Sequence, residues 1–320
     1  MKTIGFCVPC YNEEKNIINL YDSIRKQMDK LDYNYKILFI DNKSTDNSRD
    51  ILKKLSQKDN NVIVLFNTRN FGPARSSAYG FFNTPGDVVL TMACDLQDPP
   101  ELIGEFIKKW EDGEKIVLGR KITSQEKKSM FAVRKLYYKL MRMIVEENDL
   151  DQVTGFGLYD RKVVNIMKKI YNPNPNFRFL ITSLGFRVSF IDYDQPQRKY
   201  GKSSYNFFSY LDTAILSIID NSNKPLRLMS YFSISSFIIL FILEIFMLIF
   251  SIINHVLSRN ISYLLIILIL LFISIVMCLI SIIGEYLGQV LEREKHMPLV
   301  VLEKSYNFSA EELNKGDSYD

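Results

Sequence analysis

The sequence predicts an α/β fold with a mostly parallel sheet, followed by a pair of membrane-spanning helices. In the first half of the chain, short apolar segments typical of strands alternate with segments whose apolar residues recur at helical spacing. Alternating strand and helix units build a parallel sheet between layers of helices. Further along, Tyr231–Ile253 and Ile261–Ile283 are almost wholly apolar. Each is longer than the ~20 residues that a helix needs to cross a bilayer.

The strand and helix predictions rest on residue type and periodicity. One strand runs from Thr3 and breaks at a proline, and four more follow. These four are Lys36–Ile40, Val62–Phe66, Val88–Met92 and Lys115–Leu118. Three helices present apolar faces: Ile17, Leu20, Tyr21, Ile24 and Met28 in the first; Ile51, Leu52 and Leu55 in the second; Leu102, Ile103, Phe106, Ile107 and Trp110 in the third. No G-x-G-x-x-G follows the first strand, which disfavours a dinucleotide-binding domain.

Composition excludes several classes of protein. The net charge of +4 does not suggest a nucleic-acid partner, and four scattered cysteines do not make a disulfide framework. A reducing compartment therefore fits. Cys7 and Cys10 form a C-x-x-C pair, which leaves a thioredoxin-like redox role open. A zinc site would need a second such pair, and the sequence has none.

The segment after the fourth strand has the most informative chemistry. Strand Val88–Met92 leads into a polar run that contains Asp95 and Gln97. We expect Asp98 to cap the next helix and Pro99 to be its first residue. Ligands of α/β folds bind at the carboxyl ends of the strands, and hard oxygen ligands there suit Mg²⁺ or Mn²⁺ held jointly with a diphosphate. The alternative is an ordinary capped turn between a strand and a helix.

Three segments together resemble the family 2 glycosyltransferases with the GT-A fold. They are Thr3–Glu14 (TIGFCVPCYNEE), Lys36–Asp46 (KILFIDNKSTD) and Val89–Glu101 (VLTMACDLQDPPE). The match is closest to the polyprenyl-phosphate glycosyltransferases, a group that includes the bactoprenol glucosyltransferases and dolichol-phosphate mannose synthase. The resemblance runs from about Thr3 to about Glu303. It implies inverting transfer of a single sugar from a nucleotide-sugar, a UDP-sugar by our interpretation, to undecaprenyl (polyprenyl) phosphate, and a homo-oligomer.

The resemblance also implies which residues hold the donor. Pro9, Tyr11 and Glu13 match positions that border the base and ribose. Asp41, at the end of the second strand, matches an acid that contacts the nucleoside. The predicted donor-binding residues therefore include Pro9, Tyr11, Glu13 and Asp41, together with Asp95 beside the metal.

The acidic positions of the family's motifs are partly changed in this chain. Asp95 matches the second acid of the family's D-x-D and Gln97 the glutamine that follows, so both are predicted metal ligands. Ala93 replaces the first acid, which leaves a Mg²⁺ or Mn²⁺ ion more dependent on diphosphate and water. Asn42 replaces the second acid of the other motif, which keeps hydrogen bonding but removes a charge. Asp46 belongs to that motif or caps the next helix.

The acceptor side of the predicted site contains two arginines and one acid. Arg120 and Arg134 match positions that bind the acceptor phosphate, for which a guanidinium offers a charged fork. For Arg134 the alternative is a solvated basic helix face. Asp151, which begins a D-x-x-T-G-F segment, matches a residue beside the sugar and acceptor, or is a turn acid before Gly155.

A basic loop is predicted to close over the diphosphate. The run RKYGKSS resembles the family's R-x-x-G-x-S-K loop, with Arg198 in place and Ser204 where the final lysine is expected. We predict that Arg198 and Lys202 neutralise the leaving group. With this loop, the predicted catalytic residues are Asp95, Asp151 and Arg198.

The predicted membrane organisation has four parts. Residues 1–205 form the catalytic GT-A domain, 206–228 an amphipathic interfacial helix, 229–285 two transmembrane helices and 286–320 a tail. A helix packed on the sheet is the alternative for the second part. Basic residues flank the outer ends of the two spans, which places the catalytic domain and both termini in the cytoplasm of an integral cell (inner) membrane protein. From Ser305 onward we expect no regular structure.

Two other functions remain open on the sequence. A glycolipid-forming transferase that uses diacylglycerol would need less charge for binding phosphate. An inactive sugar-nucleotide sensor or membrane scaffold is suggested by Ala93 alone, and the retained Asp95, Gln97, Arg120 and Arg198 weigh against it.

Overall fold

The structure is a computed structural model that describes residues 1–122, 153–170, 184–196 and 259–308, with scattered positions in 175–181 and 231–246. The strands are β1 (Thr3–Cys10), β2 (Asn34–Asp41), β3 (Val62–Asn67), β4 (Val88–Thr91), β5 (Ile116–Lys121), β6 (Val153–Asp160), β7 (Val188–Tyr193) and β8 (Leu302–Tyr306). The helices are α1 (Ile17–Met28), α2 (Ser48–Lys58), α3 (Pro73–Asn83), α4 (Ile103–Glu111), α5 (Arg161–Lys168) and α6 (Arg259–Glu294).

The strands form one eight-stranded sheet in the order β7-β5-β6-β4-β1-β2-β3-β8. β1 pairs in parallel with both β2 and β4, and β2 pairs in parallel with β3. β6 runs antiparallel to both β4 and β5, so β5 and its parallel partner β7 point the same way as β1. The predicted α/β fold with a mostly parallel sheet is confirmed, and the carboxyl ends of six strands lie at one edge.

The predicted helix faces form the core. All five apolar residues predicted for α1 are buried, and so are the apolar residues of α4 from Ile103 to Trp110. β1 is buried on both faces, as expected for a central parallel strand. Phe6 and Val8 pack in the core cluster with α1 and α4, while Cys7 packs in a second cluster with α3 and α5.

The C-terminal part of the chain contributes an edge strand that the sequence does not predict. β8 pairs antiparallel with β3, with Tyr306 opposite Val64 and Leu302 opposite Asn67. Our expectation that regular structure is lacking from Ser305 onward is therefore wrong for Ser305 and Tyr306. The strand has a polar sequence because it is a partly exposed edge strand, and such a short polar run has no clear periodicity.

The second predicted membrane span lies within α6, which is 36 residues long and belongs to a compact unit separate from the sheet. The helix predicted for Ile261–Ile283 is thus confirmed, and its side chains are described at only some positions. Over the positions that are described in full, we find no helix with the length and apolar composition to cross a membrane. The interfacial helix and most of Tyr231–Ile253 lie outside the described residues.

Asp160 links three elements at the amino-terminal side of β5. It ends β6 and caps α5 by accepting a hydrogen bond from the backbone N–H of Lys162 at 3.0 Å. The same carboxylate accepts from Trp110 Nε1 and from Lys115 Nζ, each at 2.9 Å. Burial alone would raise the pKa of Asp160, but the hydrogen bonds from Lys115 and Trp110 outweigh it, and the pKa is lowered from its ordinary 3.8.

This lowered pKa predicts a pH-dependent contribution to stability. A carboxylate whose pKa is lower in the folded state stabilises above its unfolded pKa of about 3.9, and that stability is lost as the pH falls through the folded pKa. We expect Asp160→Asn to lower the free energy of unfolding by about 1–3 kcal/mol at pH 7 and by less below pH 4. Urea unfolding in detergent, followed by circular dichroism, measures this against the exposed control Asp112→Asn. An equal loss at pH 7 and pH 3 would contradict it.

Candidate active site

The carboxyl edge of the sheet brings the predicted donor and metal residues together. β1 lies between β4 and β2, and Cys10, the last residue of β1, is paired with Asp41, the last residue of β2. The loops that follow β1, β2 and β4 therefore leave the sheet side by side. Pro9, Asp41 and Asp95 lie at this edge, as the sequence predicts.

The loops after β1 and β2 are joined into one hydrogen-bonded unit. The backbone N–H groups of Asn12 and Glu13 donate to Ser44 Oγ and Ser48 Oγ, both at 2.9 Å. In return, the side chain of Asn12 accepts from the N–H of Thr45 at 2.8 Å. Asn12 has a φ of 57°, a left-handed conformation that asparagine tolerates well. The position of the first loop is therefore fixed by the second.

Within this unit, Tyr11 is 41% exposed while Pro9 and Glu13 are half-buried. Glu13 Oε2 accepts a hydrogen bond from Asn16 Nδ2 at 2.6 Å, at the start of α1. The exposed ring of Tyr11 beside a partly accessible carboxylate provides an aromatic face and an acceptor. A planar base and a ribose hydroxyl could use these two groups.

Asp46 has a structural role. Its carboxylate accepts from the N–H of Ser48 at 2.9 Å and from that of Glu14 at 3.2 Å. The first contact holds the start of α2 and the second ties it to the loop after β1. The N-cap residue of α2 is Asn47, so Asp46 is not the helix cap that the sequence leaves open, although its carboxylate holds the first residue of the helix. Its place in the family's motif stays a prediction.

Asp41 is fully buried at the end of β2. Its carboxylate accepts from the N–H of Ser44 at 3.1 Å, and Arg49 Nε lies 3.5 Å from its Oδ1. Burial raises the pKa of Asp41, and the contacts with Ser44 and Arg49 oppose that rise. The acid at this motif position thus holds the loop after β2, and its charge is balanced by one nearby guanidinium.

Asn42 uses both halves of its amide. Its Oδ1 accepts from Asn67 Nδ2 at 3.1 Å and from the N–H of Phe71 at 2.9 Å, while its Nδ2 donates to Asn70 Oδ1 at 2.9 Å. An aspartate here could not donate to Asn70. The departure from the family's second acid is therefore compensated by a network that holds the loop after β3.

The turn after β4 presents Asp95 through a strained backbone. Leu96 has a φ of 60°, a conformation that costs roughly 1–2 kcal/mol for a residue with a Cβ. The N–H of Gln97 donates to Asp95 Oδ1 at 3.1 Å, which closes a tight turn around the carboxylate. Strain of this kind is typical of functional turns whose surroundings determine the conformation.

Asp98 does not cap a helix, so that prediction is wrong. A short 3₁₀ turn, Pro100–Leu102, precedes α4, and Pro99 is extended just before it. The buried carboxylate of Asp98 instead accepts from the N–H of Ala93 at 2.8 Å and from Tyr193 Oη at 3.2 Å. Asp98 therefore binds the backbone of the turn that carries Asp95. Burial raises the pKa of Asp98 to about 6, although the hydrogen bond from Ala93 opposes the rise.

The residues at this turn offer a partial set of metal ligands. Asp95 supplies a carboxylate and Gln97 a side-chain amide, both hard oxygen donors. In the part of the chain that the structure describes, no group of three or more His, Cys, Asp or Glu residues could hold a metal ion alone. Mg²⁺ is usually bound by one or two carboxylates together with waters and substrate phosphates.

Arg120 lies at the same edge, at the end of β5. It is paired across the sheet with Asp192 of β7, and the two side chains form a two-point contact with Nε–Oδ1 at 2.6 Å and Nη2–Oδ2 at 2.9 Å. The guanidinium also lies 5.1 Å from the ring centre of Phe190. Hydrogen bonding by Arg120 lowers the pKa of Asp192. In this structure the guanidinium fork of Arg120 is therefore occupied by the carboxylate of Asp192.

The two cysteines of the C-x-x-C pair are buried on opposite faces of β1, in separate core clusters. Burial raises the pKa of the Cys7 thiol to about 12 and that of Cys10 well above its ordinary value. A redox pair needs two adjacent thiols with accessible thiolates. The thioredoxin-like role left open by the sequence is therefore excluded.

Some of the predicted site residues lie outside the described part of the chain. They are Arg134, Asp151, Arg198 and Lys202. The roles of these residues stay predictions. Asp98 and Tyr193 are the additions that the structure makes to the site, because they hold the turn that carries Asp95.

Comparison with known proteins agrees with this architecture. The profile of the family described as "Glycosyl transferase family 2" matches residues 6–166, just over half of the chain. "Uncharacterized glycosyltransferase YkcC" of Bacillus subtilis (strain 168) is 32% identical over 316 residues, which cover 96% of this chain and 95% of that protein. "SfII prophage-derived bactoprenol glucosyl transferase" of Shigella flexneri is 28% identical over 304 residues, 95% of this chain and 98% of the relative.

A solved structure supports the fold. Mannosyl-3-phosphoglycerate synthase from Rubrobacter xylanophilus superposes with a TM-score of 0.53 at 16% identity, over 68% of this chain and 73% of that one. The chain belongs to glycosyl transferase family 2 and is a glycosyltransferase with the GT-A fold.

Proposed function

We propose that the protein transfers one sugar, with inversion, from a UDP-sugar to undecaprenyl phosphate at the cytoplasmic face of the membrane. The observation that carries this proposal is the shared edge of the sheet, where the Asp41 loop, the Asp95 turn and Arg120 all lie. An acidic turn suited to a cation and a diphosphate thus lies along the same edge as an arginine fork suited to a second phosphate. Relatives named bactoprenol glucosyl transferase support the choice of a polyprenyl-phosphate acceptor.

On the donor side, the nucleoside would lie against the joined loops after β1 and β2. Tyr11 offers a ring face, and Glu13 and Asp41 offer acceptors for N–H and O–H groups. Because Asp41 is covered by the Ser44 loop, its contact with a nucleoside requires that loop to shift.

A divalent cation, Mg²⁺ or Mn²⁺, would be held by Asp95 and Gln97 and would neutralise the charge that develops on the departing diphosphate. The chain's own contribution is to fix these oxygens, through the strained turn at Leu96 and the contacts of Asp98. Arg198 and Lys202 would add positive charge to the same leaving group.

On the acceptor side, the nucleophile is a lipid phosphate that is already ionised at pH 7. Its oxygen attacks the anomeric carbon as the bond from that carbon to the diphosphate oxygen breaks, so UDP leaves without a covalent enzyme intermediate. Arg120 and Arg134 would offset the repulsion between two anions, with the acceptor phosphate replacing Asp192 on the Arg120 fork. Asp151 would orient the sugar or the acceptor.

A membrane anchor completes the proposal. Ile261–Ile283 lies in α6, and the apolar run Tyr231–Ile253 precedes it, so a two-helix hairpin would hold the catalytic domain beside its lipid acceptor. The basic residues that flank the hairpin support a site on the cytoplasmic side. We also propose a homo-oligomer, following the family.

The test is a donor panel. Purified protein in detergent is mixed with undecaprenyl phosphate and Mg²⁺ or Mn²⁺, and radiolabelled UDP- and GDP-sugars are offered one at a time. We expect label from a UDP-sugar to enter the organic phase, and to be absent with EDTA. Transfer from a GDP-sugar alone would overturn the donor assignment, and no transfer from protein that binds UDP would overturn the acceptor assignment.

Arg134 separates a phosphate acceptor from a neutral one. In the same assay, diacylglycerol replaces the polyprenyl phosphate, and Arg134→Gln is compared with the neighbouring control Lys135→Gln. A phosphate acceptor predicts that Arg134→Gln raises the acceptor KM well beyond the control. Transfer to diacylglycerol, unchanged in both variants, would indicate a glycolipid-forming transferase instead.

A further inference from the structure

The C-terminal strand reaches the donor side of the site through one carboxylate. Glu303, in β8, accepts from Lys43 Nζ at 2.7 Å and from Arg49 Nη2 at 3.0 Å. Lys43 follows Asn42 in the loop after β2, and Arg49 is in the first turn of α2. Glu303, more than 250 positions away in sequence, thus holds one cation of this loop and one at the start of α2.

Arg49 connects Glu303 to the buried acid at the end of β2. Its guanidinium lies 4.5 Å from the ring centre of Phe66, with Nη2 on Glu303 and Nε 3.5 Å from Asp41 Oδ1. The 3.0 Å contact between Arg49 Nη2 and Glu303 is a good charge-assisted hydrogen bond. The 3.5 Å separation between Arg49 Nε and Asp41 Oδ1 is too long for one. Glu303 therefore keeps the guanidinium partly away from Asp41.

The strand that carries Glu303 is fixed at both ends. Before it, the carbonyl oxygen of Val301 accepts from the N–H of Thr68 at 3.0 Å. After it, Asn307 Nδ2 donates to the carbonyl oxygens of Ser56 at 2.6 Å and Val62 at 2.9 Å. Because backbone contacts fix the strand on both sides, Glu303 is a stationary anchor for the two cations.

We infer that Glu303 is a positioning residue for the donor nucleotide, and that it acts through Arg49 by keeping the guanidinium off Asp41, so that the carboxylate can accept from the nucleoside once the Ser44 loop shifts. The inference rests on the donor role proposed for Asp41. It also assigns a function to a strand that lies beyond residues 6–166, the segment matched by the family profile.

Removal of the Glu303 charge has a defined consequence. With that partner gone, the nearest described carboxylate for Arg49 is Asp41, 3.5 Å away. The guanidinium is expected to close onto Asp41 and to compete with the N–H and O–H groups of the nucleoside. Lys43 loses its contact as well, and the two cations are left facing each other.

A double-mutant cycle tests this with UDP and Mg²⁺ as the probe, by calorimetry on the full chain in detergent. We expect Glu303→Gln to weaken UDP binding about 3- to 10-fold, and to change it less than about 2-fold in an Arg49→Gln background. Glu303→Asp should recover part of the loss. Glu105→Gln, an exposed acid on α4, is the charge-matched control, and thermal midpoints show that each variant is folded.

The outcomes separate this inference from the proposed function. Equal UDP affinity in wild type and Glu303→Gln, or the same loss in both Arg49 backgrounds, would overturn the inference alone. Wild-type protein that binds UDP but labels no lipid would overturn the acceptor assignment. The role of Glu303 would then be decided by the UDP affinities of the variants. Wild-type protein that does not bind UDP would overturn both.

Discussion

Replacing Asp95 with asparagine is expected to lower the rate of sugar transfer at least about 100-fold, which corresponds to about 2.7 kcal/mol of transition-state stabilisation. Asparagine keeps the shape of the turn and can still accept the Gln97 hydrogen bond, so the backbone strain at Leu96 is unchanged. What is lost is the negative charge that would hold a cation against the diphosphate. The initial rate with the donor found by the panel, at saturating Mg²⁺, measures the effect.

Two comparisons make this result specific to the metal. Glu101→Gln, an exposed acid six positions along the chain, should keep the wild-type rate. UDP affinity should rise on addition of Mg²⁺ in wild type and hardly change in Asp95→Asn. A variant that retains more than a tenth of the wild-type rate would show that Asp95 does not hold the catalytic cation.

The sequence predicts those parts of the fold that depend on local periodicity. The face of α1 from Ile17 to Met28 and the five predicted strands from β1 to β5 are found because burial imposes a repeat on consecutive residues. The sequence also predicts that Asp41 and Asp95 lie near each other, because both follow parallel strands whose carboxyl ends meet at one edge of the sheet. The outline of the site was therefore predictable.

Contacts between distant segments were not predictable in this way. Glu303 lies in a short polar strand, and nothing near it in sequence indicates that it will meet Arg49. Asp98 has the composition of a helix cap, but the N–H of Ala93 and the hydroxyl of Tyr193, from a strand far along the chain, compete for it. Glu303 thus depends on a long-range partner, and for Asp98 the contact with Tyr193 helps to override a local preference.

Asn42 shows that the sequence alone does not reveal the hydrogen-bond partners of a changed motif position. As a motif position it reads as the loss of an acid. In the structure its amide both donates to Asn70 and accepts from Asn67, which no carboxylate could do. A departure from a family pattern can thus be judged only once the hydrogen-bond partners are known.

The largest expected effect on folding comes from Gly5, in the middle of β1. A Cβ at this position would lie 2.0 Å from the carbonyl oxygen of Pro85 and 2.7 Å from Thr84 Cγ2. The first of these atoms belongs to the backbone, so relief requires the loop before β4 to move away from the central strand. We expect Gly5→Ala to destabilise the domain by about 3 kcal/mol or more, and to lower the thermal midpoint by roughly 6–12 °C.

Gly104 supplies the matched control, because a Cβ there meets no atom within 4 Å and the residue lies in helix α4. The same substitution should be neutral or stabilise by about 0.5–1 kcal/mol, since alanine loses less entropy than glycine in a helix. Thermal unfolding in detergent, followed by the fluorescence of the single tryptophan, Trp110, compares the two variants. If Gly5→Ala melted within about 2 °C of wild type, the loop at Pro85 would not be packed against β1 as the structure places it, and β4, which carries the Asp95 turn, would not be held in its present register with β1.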